Sequence, residues 1–210
     1  MMKEIQEIVV GNKERFALTC EVCLENPSEG NVFIYMNNKK FGNNNYSYEL
    51  DFFLWHAQGE FSETEFVYPA FFSMTALEMI SGISELYAEN PEYSRCKFEE
   101  IFPGFIKSFE ESEEVAYDGI NAEDVIDEIK MFGGNYGFNH ITIVLLSDGK
   151  MAKLFIGPNI QTDNTREKLS DFSEECEAIQ LEIGEFSSAF KLLYQSYSDN
   201  WGKYAVRFQS

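Results

Sequence analysis

Two β-rich runs, Phe138 to Leu146 and Lys150 to Ile156, stand on either side of Asp148-Gly149. So short a connection joins only antiparallel neighbours, because parallel strands need a crossover of about a dozen residues or more. The pattern predicts a hairpin with Asp148-Gly149 in a type I′ turn, closed by Gly157-Pro158. The N-terminal region repeats this logic. Ile5 to Val10 is a short apolar run ending at Gly11, and Arg15 to Leu24 alternates with Phe16, Leu18, Cys20, Val22 and Leu24 on one face. Asn26-Pro27-Ser28-Glu29-Gly30 is a turn cluster, Val32 to Met36 a third strand, and Asn37-Asn38 a tight reversal into Lys39 to Gly42. An antiparallel meander is expected.

Helical spacing appears between and after these strands. Met74, Leu77, Ile80, Ile83 or Ser84, and Tyr87 recur on one face, predicting a helix over Pro69 to Glu89 that ends at Asn90-Pro91. Asn121 caps a second, with Asp124 in its first turn and Ala122, Val125, Ile126, Ile129 and Phe132 as its apolar stripe. Glu185 to Tyr197 is a third, with Phe186, Phe190, Leu193 and Tyr197 aligned. Tyr46 to Ala57 fits two periods: Tyr46, Tyr48, Leu50 and Phe52 suit a strand, whereas Leu50, Phe53, Leu54 and Ala57 suit a helix. Short helical turns are expected over Cys96 to Phe109, an acidic loop over 110–119, little regular structure over 162–177, and short strands at Gln180 to Ile183 and Tyr204 to Phe208. Hairpins at both ends with helices between them describe an antiparallel α+β fold. No composition shift marks a linker, so residues 1–210 read as one domain.

Charge narrows the function. Asp+Glu 36 against Lys+Arg 16 gives a net charge of −20, well beyond the magnitude of about 2 to 8 that solubility alone favours. Nucleic acid and anionic membrane surfaces are excluded as natural partners, since both are bound through cationic side chains. A basic protein is the complementary partner. The excess is uneven. Residues 1–40 are nearly balanced, whereas no Lys or Arg lies between Lys40 and Arg95, a stretch holding Glu49, Asp51, Glu60, Glu63, Glu65, Glu78, Glu85, Glu89 and Glu92. Further acids cluster from Glu99 to Glu128 and at Glu174, Glu175 and Glu177.

Catalytic and cofactor signatures do not emerge. Cys20 and Cys23 form a CxxC within a strand, where residues three apart point to opposite faces and are poorly placed to share a metal. His56 and His140 have no partner at ligand spacing. The glycines at 133, 134 and 137 follow a helix and precede a strand, the reverse of a phosphate cradle. No cofactor, metal or catalytic residue is expected. Nor does any stretch reach the roughly eighteen apolar residues of a membrane-spanning helix, and Met1 to Val10 lacks a signal-peptide core, so the expected location is the cytoplasm.

The run Ile8-Val9-Val10-Gly11-Asn12-Lys13-Glu14-Arg15-Phe16-Ala17-Leu18, followed by Val32-Phe33-Ile34-Tyr35-Met36-Asn37-Asn38-Lys39-Lys40-Phe41-Gly42, resembles the opening of the immunity protein 42 family of bacterial polymorphic toxin systems. The likeness covers about residues 1–50, with Asn12 where an aspartate is common. The resemblance implies a cytoplasmic, non-catalytic antidote that neutralises a toxin domain by binding it, and it brings no catalytic residues.

Together with the charge map, this places the expected interface in the acidic, aromatic-flanked segments between Glu49 and Glu128. Trp55, Phe61, Phe66 and Tyr68 are the expected anchors, and Glu60, Glu63 and Glu65 the steering charges toward a basic toxin domain. A nuclease is one form such a toxin can take, because an acidic face can occupy a phosphate-binding cleft. Two other readings remain open at this level: an enzyme using His56 or His140 with carboxylates in a cleft, and a structural or oligomerisation module.

Overall fold

The structure, a computed structural model, describes residues 4–42, 49–60, 72–88, 103–104, 141–158 and 175–202. Its elements are β1 (Ile5–Asn12), β2 (Phe16–Cys23), β3 (Gly30–Met36), β4 (Lys39–Phe41), α1 (Leu50–Glu60), α2 (Ala76–Ala88), β5 (Ile141–Ser147), β6 (Met151–Pro158), β7 (Glu177–Glu182) and α3 (Glu185–Trp201). The fold is α+β with antiparallel sheets, as expected. β1 to β4, α1 and α3 belong to one compact unit, and α2 with β5 to β7 to another. The expected Asn121 to Phe132 helix, the glycines at 133, 134 and 137, the loops at 43–48 and 110–119, and the Tyr204 to Phe208 strand lie outside the described residues. So do the Cys96 to Phe109 turns apart from Pro103-Gly104, and the 162–174 stretch.

In the first unit the strands form a meander in the order β1-β2-β3-β4. Asn37 and Asn38 both take left-handed conformations, φ 51° and 66°, as a type I′ turn demands, and Asn tolerates that region best among residues with a side chain. The β2–β3 register pairs Phe16 with Met36, Leu18 with Ile34 and Cys20 with Val32, so the apolar faces of the two strands coincide. This face receives α3, with the Phe16 ring 5.8 Å from that of Phe186. Alternation predicted a half-buried β2, but Ala17, Thr19 and Cys23 on its other face are buried as well. Small and weakly polar residues there carry little hydropathy contrast, so the second buried face was silent in the sequence. The Cys20 thiol is pushed well above its ordinary pKa by burial, which makes it an inert core residue.

α3 carries the expected stripe: Phe186, Phe190, Leu193 and Tyr197 are buried, joined by Ala189. The helix continues past Tyr197 to Trp201, where the two rings lie 5.6 Å apart. The β2–β3 loop is where the unit's elements meet. The Tyr197 hydroxyl donates to the Pro27 carbonyl at 2.9 Å, and the Leu50 N–H, at the start of α1, donates to the Ser28 carbonyl at 2.8 Å. Gly30 follows directly. A Cβ there would lie 2.2 Å from the Glu21 carbonyl oxygen and 2.7 Å from Leu50 Cδ2, so the close seating of α1 requires glycine.

In the second unit β5, β6 and β7 pair antiparallel in that order, with α2 against β6. The hairpin is as expected but its turn is not type I′: only Gly149 has a positive φ, 86°. The Asp148 carboxylate accepts from the N–H groups of Lys150 and Met151, at 2.8 and 2.7 Å, and its own N–H donates to the Met151 carbonyl. The reversal is thereby moved onto Gly149-Lys150. Gly157-Pro158 closes the hairpin as its last two paired residues, Gly157 opposite Thr142 and Pro158 opposite Ile141. Gly157 is needed for close packing: a Cβ there would sit 2.7 Å from Ile80 Cγ1 and 3.0 Å from Cys176 Sγ.

The helix expected from Pro69 begins only at Ala76. Thr75 and Glu78 form a capping box, the Thr75 N–H reaching Glu78 Oε2 at 2.7 Å and the Glu78 N–H reaching Thr75 Oγ1 at 3.2 Å. That signature, Thr75-Ala76-Leu77-Glu78, is visible in the sequence and marks the start better than the apolar spacing does. The expected stripe holds at Ile80 and Ile83, which are buried together with Met79, while Leu77 is half-buried. Lys153 on β6 fastens the preceding turn by donating to the carbonyls of Phe72 and Met74 at 2.8 and 2.7 Å, and partial burial lowers its pKa.

Two outcomes follow. Tyr197→Phe leaves the Pro27 carbonyl without its donor and lowers stability by about 1–2 kcal/mol, read as a lower urea midpoint at unchanged m-value. Asp148, whose pKa is lowered by the two N–H donors, stabilises the fold above its ordinary value of about 3.9, and this contribution is lost as pH falls through the lowered value. Asp148→Asn is therefore less stable than the parent near neutral pH, and the gap in urea midpoint narrows below about pH 4.

Candidate partner-binding face

The ambiguity at Tyr46 to Ala57 resolves as helix from Leu50 onward. α1 packs against α3, and burial selects the helical reading of the stripe: Leu50, Phe53, Leu54 and Ala57 are all buried. Asp51 is buried too, its carboxylate accepting from the Phe52 N–H at 2.9 Å. The opposite face is aromatic. Phe52 is 43% and Trp55 55% exposed, with His56 half-buried beside them.

These three rings stand at positions i, i+3 and i+4, the spacing that brings side chains together on a helix surface. The ring of Phe52 lies 6.3 Å from that of Trp55 and 5.7 Å from that of His56. Trp55 and His56 are 6.1 Å apart and meet edge-on at 89°. Isolated exposed apolar residues are ordinary on protein surfaces. Three mutually contacting rings on one helix face, two of them largely open to solvent, form a contiguous aromatic ridge instead.

Of the expected anchors and steering charges, Trp55 is placed in this ridge, and Glu60 is the last residue of α1. Phe61, Glu63, Glu65, Phe66 and Tyr68 lie outside the described residues, as does His140. Phe52 was not anticipated as an exposed contact. Its signal was the i, i+3, i+4 spacing with Trp55 and His56, legible only once the segment is known to be helical.

Electrostatics separate this face from the meander. There the cations are engaged locally: Lys13 with Glu7 at 2.7 Å, Lys40 with Glu21 at 3.0 Å, and Arg15 with both carboxylate oxygens of Glu185. Lys13 also sits over the Tyr35 ring and Lys40 over the Phe33 ring, 4.6 and 3.5 Å from their centroids. Glu7 holds the Lys13 ammonium above its ordinary pKa. Such partly exposed pairs contribute little stability individually, but Lys13 and Lys40 are neutralised within the meander and Arg15 is neutralised by α3. α1 carries no Lys or Arg, and exposed Glu49 precedes it. Among the described residues no cluster of His, Cys, Asp and Glu could hold a metal ion, and no helix is long and apolar enough to cross a membrane.

A family model described as immunity protein 42 matches residues 1–196. This chain belongs to the immunity protein 42 family. The match extends the N-terminal resemblance across α1, α2 and the second sheet into α3. As a member of that family the chain is a toxin-neutralising immunity protein. Among solved structures, the crystal structure of CdiI from Burkholderia dolosa AUO158 is similar over 90% of this chain and 99% of that one, at 16% sequence identity and a TM-score of 0.48. A search of curated proteins finds no match.

Because Trp55 points away from the packed side of α1, Trp55→Ala in the immunity protein changes stability by no more than about 0.5 kcal/mol. Leu54→Ala, one position away on the buried side, costs about 2–5 kcal/mol. Thermal denaturation of the two variants side by side checks which face of α1 holds the fold.

Proposed function

We propose that this immunity protein acts in the cytoplasm as a non-catalytic antidote, binding a basic toxin domain directly through the acidic, aromatic segment that begins on α1. The contact set comprises Trp55, Glu60, Phe61, Glu63, Glu65, Phe66 and Tyr68, to which the geometry of α1 adds Phe52. The observation that carries this reading is the exposed Phe52, Trp55 and His56 ridge on a helix without basic residues. Large rigid rings make effective anchors because they bury much area for little lost side-chain freedom, and charge around them steers encounter. The family match supports a toxin as the partner, and the net charge of −20 supports a basic one.

The test uses the cognate toxin domain. Reversing Glu60, Glu63 and Glu65 together to Lys slows association by about tenfold or more at low ionic strength, and the difference shrinks as salt screens it. An association rate unchanged by the reversal at low salt rejects this segment as the interface. Absence of any complex with the unmodified protein rejects direct binding altogether.

A further inference from the structure

Resting on that reading, we infer that the Phe52, Trp55 and His56 ridge is a platform for an arginine side chain of the toxin. The faces of aromatic rings carry partial negative charge and attract cations, Trp most strongly. Elsewhere this chain places its own cations over rings: Lys40 over Phe33, Lys13 over Tyr35, and Lys153 over Phe155 at 3.5, 4.6 and 5.0 Å from the centroids. Over Phe52 and Trp55 it places none among the described residues, and the Trp55 indole is 55% exposed. The segment that carries the ridge has no cation of its own, since Lys and Arg are absent from 41–94.

The chemistry of the occupant follows from both the rings and their surroundings. A guanidinium is planar and weakly hydrated, so it can lie flat on an indole while its edge N–H groups remain available to carboxylates. Acids flank the ridge along the chain, with exposed Glu49 before the helix and Glu60 at its end. An ammonium gains less from this arrangement, because it is compact and holds its water more tightly. A phosphate-bearing ligand is disfavoured by the same charge, and an apolar side chain would leave the acidic flanks without counterions. The Phe52 and Trp55 rings are tilted by 41° to one another, and His56 meets Trp55 edge-on.

The experiment is a calorimetric titration of the cognate toxin domain into Trp55→Phe, Trp55→Leu and Trp55→Ala, each first shown to retain the parent melting temperature. Phe keeps a π face and binds within a few-fold of the parent, whereas Leu, which keeps apolar area alone, weakens binding about tenfold and Ala at least as much. A double-mutant cycle with Arg→Ala and Arg→Lys substitutions on the toxin then finds one arginine whose loss removes the advantage of Trp over Leu. Leu binding as well as Trp shows a purely apolar contact and overturns the arginine platform while leaving direct binding intact. Equal affinity for all variants removes α1's ridge from the interface. Absence of binding by the unmodified chain overturns both readings.

Discussion

The packing of α1 on α3 is the constraint from which the candidate site follows. α3 is held down by its own aromatic stripe, with the rings of Phe186 and Phe190 5.3 Å apart beneath the helix and Phe16 of β2 meeting Phe186. Tyr197 extends that stripe to the β2–β3 loop, where its hydroxyl satisfies a backbone carbonyl that burial would otherwise leave unpaired. The same loop receives the first N–H of α1. With the helix start tied to the loop and Leu50, Phe53, Leu54 and Ala57 turned inward, the helical repeat leaves Phe52 and Trp55 no direction but outward.

Charge is divided along similar lines. In the meander Lys13 and Lys40 pair with Glu7 and Glu21 of the same sheet, while Arg15 is held by Glu185 of α3. Beyond residue 40 the acids outnumber the available cations, and self-repulsion on that scale opposes compaction unless offset. Some of these acids have structural duties: Glu78 caps α2 and Asp148 shapes the hairpin turn, and backbone N–H donors lower the pKa of both. A surplus of negative charge in a toxin-neutralising protein has a use in accelerating encounter with a basic partner.

Much of the architecture was legible because strand and turn signals are local. Alternation in β2, the Asn37-Asn38 reversal and the stripe of α3 each depend on residues within a few positions of one another. Errors arose where a nearby side chain competed with the backbone pattern. Asp148 took over the donors of its own turn, and Thr75 and Glu78 set the start of α2. Neither is visible in hydropathy, since each is a hydrogen-bond effect.

By itself the sequence determined that the strands pair antiparallel, that the family is that of immunity protein 42, and that acidic residues gather after a balanced N-terminal region. Tertiary structure decided which way Phe52 and Trp55 face. Under a two-residue period Phe52 would share a buried face with Leu50, and under a 3.6-residue period it stands with Trp55 on the opposite side. Leu50 belongs to both patterns, so no local count could choose between them. The choice was made by α3, which offers the apolar surface that Phe53, Leu54 and Ala57 need and thereby leaves a ridge of rings facing solvent.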